Sequence, residues 1–501
     1  MRAIRFPAVR SKLLAAFALS TCIAGAYAAA PVLPATPQAW RAAAQADIEE
    51  AVRVTRENHP GAVDPHNPAF LPNLEAARLH GLALAARVVD APGYVAAILG
   101  FNVRIGDGHA GLYPRLGDAD LPPQRWPGFV TVWRGDALYV HSSQAGGPAV
   151  GSKLLGCDGK AADQLIRDNV FSFQGRVNEA GQWWSSARRV FIDANNPFIA
   201  LPQRCRFERA GKVAEHVLAW RTLDAEGERW LAESNGGDAK GVGVFEPRKN
   251  LYWVSMPTFH PDETERAAYR AMVRDIEAHR ARWLALDAVV IDLRKNQGGS
   301  SSWSQSFAEA LWGKARVAQA VAANDAGVEV WWRASRDNTD YVSSLVDRLS
   351  REGSADGAAW AKVQAEGMRA ALAQGRPFHV EKEEAPAPAI GAADGPAFTR
   401  PLYVVVPGNC ASACLDALDV FTRFPNTVLI GAPSSADSTY MDVRTAELPS
   451  SLARVIVPNK VYVNRKRANG QIYPAAIEVR DVAWSMDTLL RSVETDLAKR
   501  R

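Results

Sequence analysis

The sequence predicts an α/β protein: a mostly parallel sheet in the C-terminal half, preceded by a helical region and a run of short strands. Three observations carry this. Ala288 to Leu293 and Leu402 to Val406 are continuous apolar runs of the kind expected for strands buried on both faces. From about residue 245, strand-like and helix-like segments alternate, the pattern of βαβ units. Residues 115–225 instead show short strand patterns punctuated by turn residues.

Residues 36–100 read as helical. Trp40 to Glu57 is rich in alanine and good helix formers, His59-Pro60-Gly61 breaks it, and Leu74 to Val88 and Ala91 to Leu99 resume it. Phe101 to Pro114 holds a glycine-punctuated turn, Gly106-Asp107-Gly108-His109, leading toward a strand. Phe129 to Arg134 and Ala137 to His141 form an expected hairpin around Gly135-Asp136. The stretch Gly147 to Lys160, with Asp158-Gly159 as its turn, resembles the opening pattern of PDZ modules. Further on, Leu251 to Met256 predicts a strand and Glu263 to Leu284 one long amphipathic helix. Trp303 to Trp312 and Ala413 to Phe424 read as helices, and Thr427 to Gly431 as a strand. Residues 335–400 contain a helical stretch, Ala358 to Ala373, and a charged, Pro/Ala-rich run, Glu381 to Pro401; they are expected to form an insertion, either flexible or serving as a lid or substrate cover. The expected organisation is a signal peptide over 1–28, a helical region over 29–114, a small β domain over 115–225, and an α/β core over 226–501 with the 335–400 insertion.

The chain has 501 residues, 48% hydrophobic and 22% charged, ordinary for a soluble globular protein. A basic start (Arg2, Arg5, Arg10, Lys12), the apolar Leu13 to Ala26, and Ala26-Tyr27-Ala28 together fit a cleaved signal peptide, too short for a membrane span. The expected location is the periplasm or outside the cell; Cys22 is a poorer fit to a lipoprotein site. Losing residues 1–28 removes four basic side chains and no acidic one, leaving 54 Lys and Arg against 54 Asp and Glu. That balance gives no footprint for nucleic acid. Cys157, Cys205, Cys410 and Cys414 then remain, free or in any of three pairings, of which Cys157–Cys205 with Cys410–Cys414 is the most local.

The chemistry concentrates at two strand ends. Ser412 follows the strand Leu402 to Val406 and a Pro-Gly-Asn turn, at the start of a helix whose positive end favours developing oxyanion charge. A serine there otherwise serves as an N-cap. Gly298-Gly299 follows the other buried strand, and paired glycines let backbone approach a ligand and point amides at it. An amide of Gly298 or Gly299, with that of Ala413, would make the two donors of an oxyanion hole. The histidines show no metal-ligand spacing, and no phosphate loop or dinucleotide fingerprint occurs, so no metal or cofactor is expected.

Asp292-Leu293-Arg294-Lys295-Asn296-Gln297-Gly298-Gly299 and Asn409-Cys410-Ala411-Ser412-Ala413-Cys414 resemble the two core motifs of the tail-specific, or carboxy-terminal processing, serine peptidases and their tricorn-core relatives. The resemblance implies a crotonase/ClpP-like βαβ core with a helical N-terminal region and a PDZ-like domain. It puts Ser412 at the nucleophile, acting on a peptide or protein substrate. This chain departs from the pattern around Ser412, and Gly431 to Tyr440 lacks the lysine that the tail-specific branch uses as base. His109 matches the Asp-Gly-His segment of the tricorn-like branch and becomes the expected base. Glu478 falls where that branch keeps an orienting glutamate, with Asp437 and Asp481 as competitors and Lys460 as a remaining lysine. A non-catalytic binder of peptides or hydrophobic ligands, and an esterase or amidase, are the other readings of the same scaffold.

Overall fold

The computed structural model describes residues 32–381 and 395–500; the expected signal peptide and Cys22 lie outside them, as does most of the Pro/Ala-rich run. The chain is a mixed α/β protein with three main sheets.

The central sheet has six strands in the order Gly243–Arg248, Leu251–Ser255, Ala288–Asp292, Leu402–Val406, Thr427–Gly431, Ile477–Glu478. Its first pair is antiparallel and every later pair is parallel. Alternating residues explain the continuous apolar runs. Val289, Ile291, Val404 and Val406 pack against the helices Glu263–Ala278, Ser302–Trp312 and Ala413–Phe421. Val290, Tyr403 and Val405 face the opposite way, toward the helix Met486–Arg500. Both faces are dry, so neither needs polar residues. The helix expected over 263–284 begins with a reciprocal Asp262–Glu265 capping box but breaks at His279, whose ψ of 32° ends the helical turn.

A second, antiparallel sheet is organised by the long strand Ala453–Val463. Tyr440–Glu447 forms a hairpin along one edge of it, and Gly111–Pro114 and Glu329–Arg333 pair with its two ends along the other. The three N-terminal helices, Pro37–Asn58, Phe70–Ala85 and Ala91–Ile105, share one hydrophobic core with Leu448, Leu452, Val455 and Val457. The N-terminal region and the C-terminal third therefore close on each other.

Residues 329–381 form a helical pair, Arg336–Arg351 and Ala355–Ala373, flanked by strands that pair with each other. Sequence reasoning found only the second helix. The first is amphipathic and polar on average, capped by the Ser335 hydroxyl on the Asn338 amide. It is tied to the first helix of the chain: Ser335 donates to Asn58 and Asn338 to the Asn58 carbonyl, both at 2.8 Å.

The third sheet runs Phe129–Trp133, Leu138–Ser143, Lys153–Cys157, Arg204–Arg209, Lys212–Val217. Cys157 and Cys205 are direct cross-strand partners and are joined by a disulfide. Arg134 fastens this module to the core, donating to the carbonyls of Asp481 (2.6 Å) and Val482 (2.8 Å) beside the rings of Trp184 and Trp484. No helix among the described residues is long and apolar enough to cross a membrane.

Candidate active site

The strand Leu402–Val406 lies inside the central sheet with all five residues buried, which fixes where its C-terminal end emerges. At Gly408 a Cβ would lie 2.4 Å from the Gly181 carbonyl and 2.6 Å from Trp184 Cβ, so only glycine lets the third-sheet module press on this turn. Ser412 follows at the N-cap position of Ala413–Phe421, with φ 54° and ψ −130°. L-residues avoid that conformation, at a cost of about 1–3 kcal/mol, and it persists only where the surroundings impose it. Here they do. A disulfide joins Cys410 to Cys414 across the serine, and the Ser412 amide donates to Asp437 Oδ2 at 2.5 Å. The Ser412 hydroxyl makes no capping bond. It is half-buried and has no hydrogen-bond partner among the described residues.

The glycine turn closes over the same point. Arg294 is buried and bonded to Asp292, and Asn296 spans from the Met256 carbonyl to the Gly298 amide, 2.9 Å at each end. Gly298 has φ 107°; a Cβ on it would sit 2.7 Å from the Ala411 carbonyl and 2.8 Å from Ser412 Cβ. Gly299 has φ 131° and presses on the Phe259 carbonyl. Of the three amides expected as donors, that of Gly298 is occupied by Asn296. Those of Gly299 and Ala413 have no hydrogen-bond partner among the described residues.

His109 reaches the neighbourhood from the far end of the sequence. The helix Ala91–Ile105 ends at Gly106 in the left-handed conformation, and Asp107 is buried just beyond it. Asp107 Oδ1 accepts the His109 amide (2.8 Å) and the Ser438 hydroxyl (2.7 Å); Oδ2 meets His59 Nε2 at 2.9 Å. His59 Nδ1 accepts the Gly61 amide, which leaves the proton on Nε2 facing the carboxylate. Burial pushes His59 down, against the pull of Asp107. Burial, the largest single influence, works to raise Asp107, but the His59 hydrogen bond and charge together with His109 outweigh it and hold the carboxyl below the usual range. The His109 ring is half-buried, with Nδ1 enclosed and without a hydrogen-bond partner among the described residues. Ring and Ser412 hydroxyl are not hydrogen-bonded to each other, but their backbones are held by adjacent residues: Asp437 takes the serine amide and Ser438 bonds the carboxylate that takes the histidine amide.

The same short segment is gripped from the third-sheet module. Glu179 Oε2 accepts the Ser435 hydroxyl (3.0 Å) and the Ala436 amide (3.1 Å). Arg176 pairs with Glu179 and donates to the Ala436 carbonyl at 2.8 Å. Behind Ser412, Asp416 and Asp419 of its helix meet Arg465 and Arg467, and Arg467 Nη1 lies 3.8 Å from Asp437 Oδ2. For Asp416, burial raises the pKa but the two arginines prevail and lower it.

The remaining candidates lie elsewhere. Glu478 is on the outermost strand of the central sheet, 37% exposed and paired with Arg480 at 2.7 Å, with no hydrogen bond to His109. Lys460 is buried against Asp442 at 2.7 Å and over the rings of Trp332 and Tyr462. Burial works against its charge, but Asp442 prevails and holds the ammonium far above its usual pKa, so it is no proton acceptor. Sequence reasoning missed Arg176, Glu179, Ser438 and the role of Asp107. Of this segment only Asp437 is among the sequence's candidates, as a competitor of Glu478 for orienting the base; its carboxylate takes the Ser412 amide instead. No cluster of three or more His, Cys, Asp or Glu among the described residues could hold a metal ion.

No protein-family model and no curated protein matches this sequence. Solved structures do. The structure of mature CPAF complexed with lactacystin overlays with a TM-score of 0.62, at 12% identity, over 92% of this chain and 99% of that one. A serine-to-alanine mutant of CPAF overlays at 0.58, also at 12% identity, over 92% and 96%. The photosystem II D1 C-terminal processing protease aligns over 91% and 98% at 12% identity, with a TM-score of only 0.34. At these identities the likeness to CPAF is one of fold, and it extends over nearly the whole of both chains.

Proposed function

We propose that this chain is a serine peptidase that hydrolyses peptide bonds in the periplasm or outside the cell. The observation that carries the proposal is the conformation of Ser412: a strained, uncapped serine at a strand–helix junction, beside two unpartnered amides. Ser412 Oγ attacks the substrate carbonyl, and its proton passes to the His109 ring. The Gly299 and Ala413 amides receive the oxyanion, a function that removing one donor typically weakens by about 10²–10³ in rate. His109 then returns the proton to the leaving amine, and water repeats the sequence on the acyl-enzyme. The missing hydrogen bond between ring and hydroxyl is ordinary before substrate binds, since such contacts tighten in the complex. The CPAF likeness supports the reading through its fold, and CPAF has been solved with lactacystin bound.

The central sheet with its helices is the crotonase/ClpP-like core, and the third sheet is the PDZ-like module that presents an extended peptide. The rival reading, a binder on the same scaffold, is separated by one experiment. A fluorophosphonate probe is expected to label the wild type, and Ser412→Ala should not label. His109→Ala should label at least about 100-fold more slowly. A folded wild type that stays unlabelled sinks the peptidase reading, and a normally labelled His109→Ala removes the base.

A further inference from the structure

We propose that Ser438, acting through Asp107, is the positioning residue for His109. The inference rests on the peptidase reading above and names the group that does what the surface-paired Glu478 does not. A catalytic base needs an orienting partner, and the His109 ring has none among the described residues: its Nδ1 is enclosed and unbonded there. What holds the histidine is its main chain. Its amide is given to Asp107 Oδ1, and the same oxygen receives the Ser438 hydroxyl.

The geometry makes this link unusually direct. Asp437 and Ser438 are consecutive. The first accepts the amide of the nucleophile and the second donates to the carboxylate that accepts the amide of the base. Three hydrogen bonds and one peptide unit therefore set the separation of Ser412 from His109. Ser438 can donate only one proton, and Asp107 is its short, charge-assisted partner; its oxygen in turn accepts the Tyr440 amide at 3.2 Å, which fixes the hydroxyl in direction. Both Asp107 and Ser438 are buried, so water does not compete for the contact. On the other side of Asp107, His59 fills Oδ2. The carboxylate therefore has one orientation, and Ser438 sets where the histidine loop meets the nucleophile loop.

The test is a double-mutant cycle on full-length protein, read as the rate of fluorophosphonate labelling at Ser412. Ser438→Ala loses the bond to Asp107 and the one from the Tyr440 amide, a loss that a domain of ordinary stability survives. The expected result is labelling about 10- to 100-fold slower than wild type, the scale of a displacement near 1 Å. Peptide hydrolysis should show the loss in kcat, with KM within about threefold of wild type. In the His109→Ala background, Ser438→Ala should then cause no further loss, because a positioning residue has nothing left to position. The proposal is overturned if Ser438→Ala labels like wild type, or if it slows labelling by the same factor with and without His109. Failure of the peptidase reading shows separately, in an unlabelled wild type.

Discussion

At the scale of single residues, the protein depends on groups that are buried and still polar. His59 is wholly buried, and burial holds its pKa below the usual histidine range. His141, in the third sheet, is likewise pulled down by burial, to about 4. The unfolded chain takes up a proton on each near pH 6.5, while the folded chain resists it. Stability is therefore fully present above about pH 6.5 and falls as pH drops, by up to about 1.4 kcal/mol per unit for each histidine. The depressed carboxyl of Asp107 acts in the same direction but only in stronger acid, below about pH 4. Urea unfolding between pH 7.5 and 5.5 is expected to show this slope, and His59→Gln should make it shallower; an unchanged slope would remove His59 as its source. None of this was visible in the sequence, where His59 looked like part of a helix-breaking turn. Whether a histidine is buried depends on what lies across from it: Phe70 stacks on the His59 ring and Tyr440 meets it edge-on.

At the scale of elements, the strands and helices around Ser412 were legible and their supports were not. The strands ending near Asp292 and Val406 could be read because burial on both faces leaves an unbroken apolar run. The helix Ala413–Phe421 could be read from its apolar spacing, yet its opposite side carries Asp416 and Asp419, whose partners Arg465 and Arg467 come from a loop fifty residues later. A pattern confined to one segment does not reveal such a partner. Breaking a buried pair strands a charge and costs about 3–5 kcal/mol, whereas removing both partners costs much less. Arg467→Met is expected to lower stability on that scale, because Asp419 and Asp437 lose the same cation. Arg467→Met with Asp419→Leu should recover part of the loss in denaturant unfolding; if the double variant is no better than the single, the buried charge is not what destabilises it.

At the scale of the whole molecule, the order of regions was readable and their assembly was not. The second sheet draws strands from residues 111–114, 329–333, 378–381 and 440–463, and no local signal marks strands gathered over such distances. Within the expected insertion, the described helical pair sits between two strands of this sheet and is tied to Asn58. The Cys410–Cys414 bridge has a consequence in time. A chain leaving the ribosome in a reducing compartment carries two thiols there, and the turn around Ser412 lacks its covalent closure. On the proposed peptidase reading, oxidation outside that compartment would complete the turn and start the activity, as removal of a propeptide does for a zymogen, and spare the proteins of the cell that made it. Chain kept reduced, with the thiols at 410 and 414 unmodified, is expected to be folded yet at least about tenfold slower in probe labelling. Equal labelling of the thiol and bridged forms would mean the molecule is live from synthesis and is restrained by some other means.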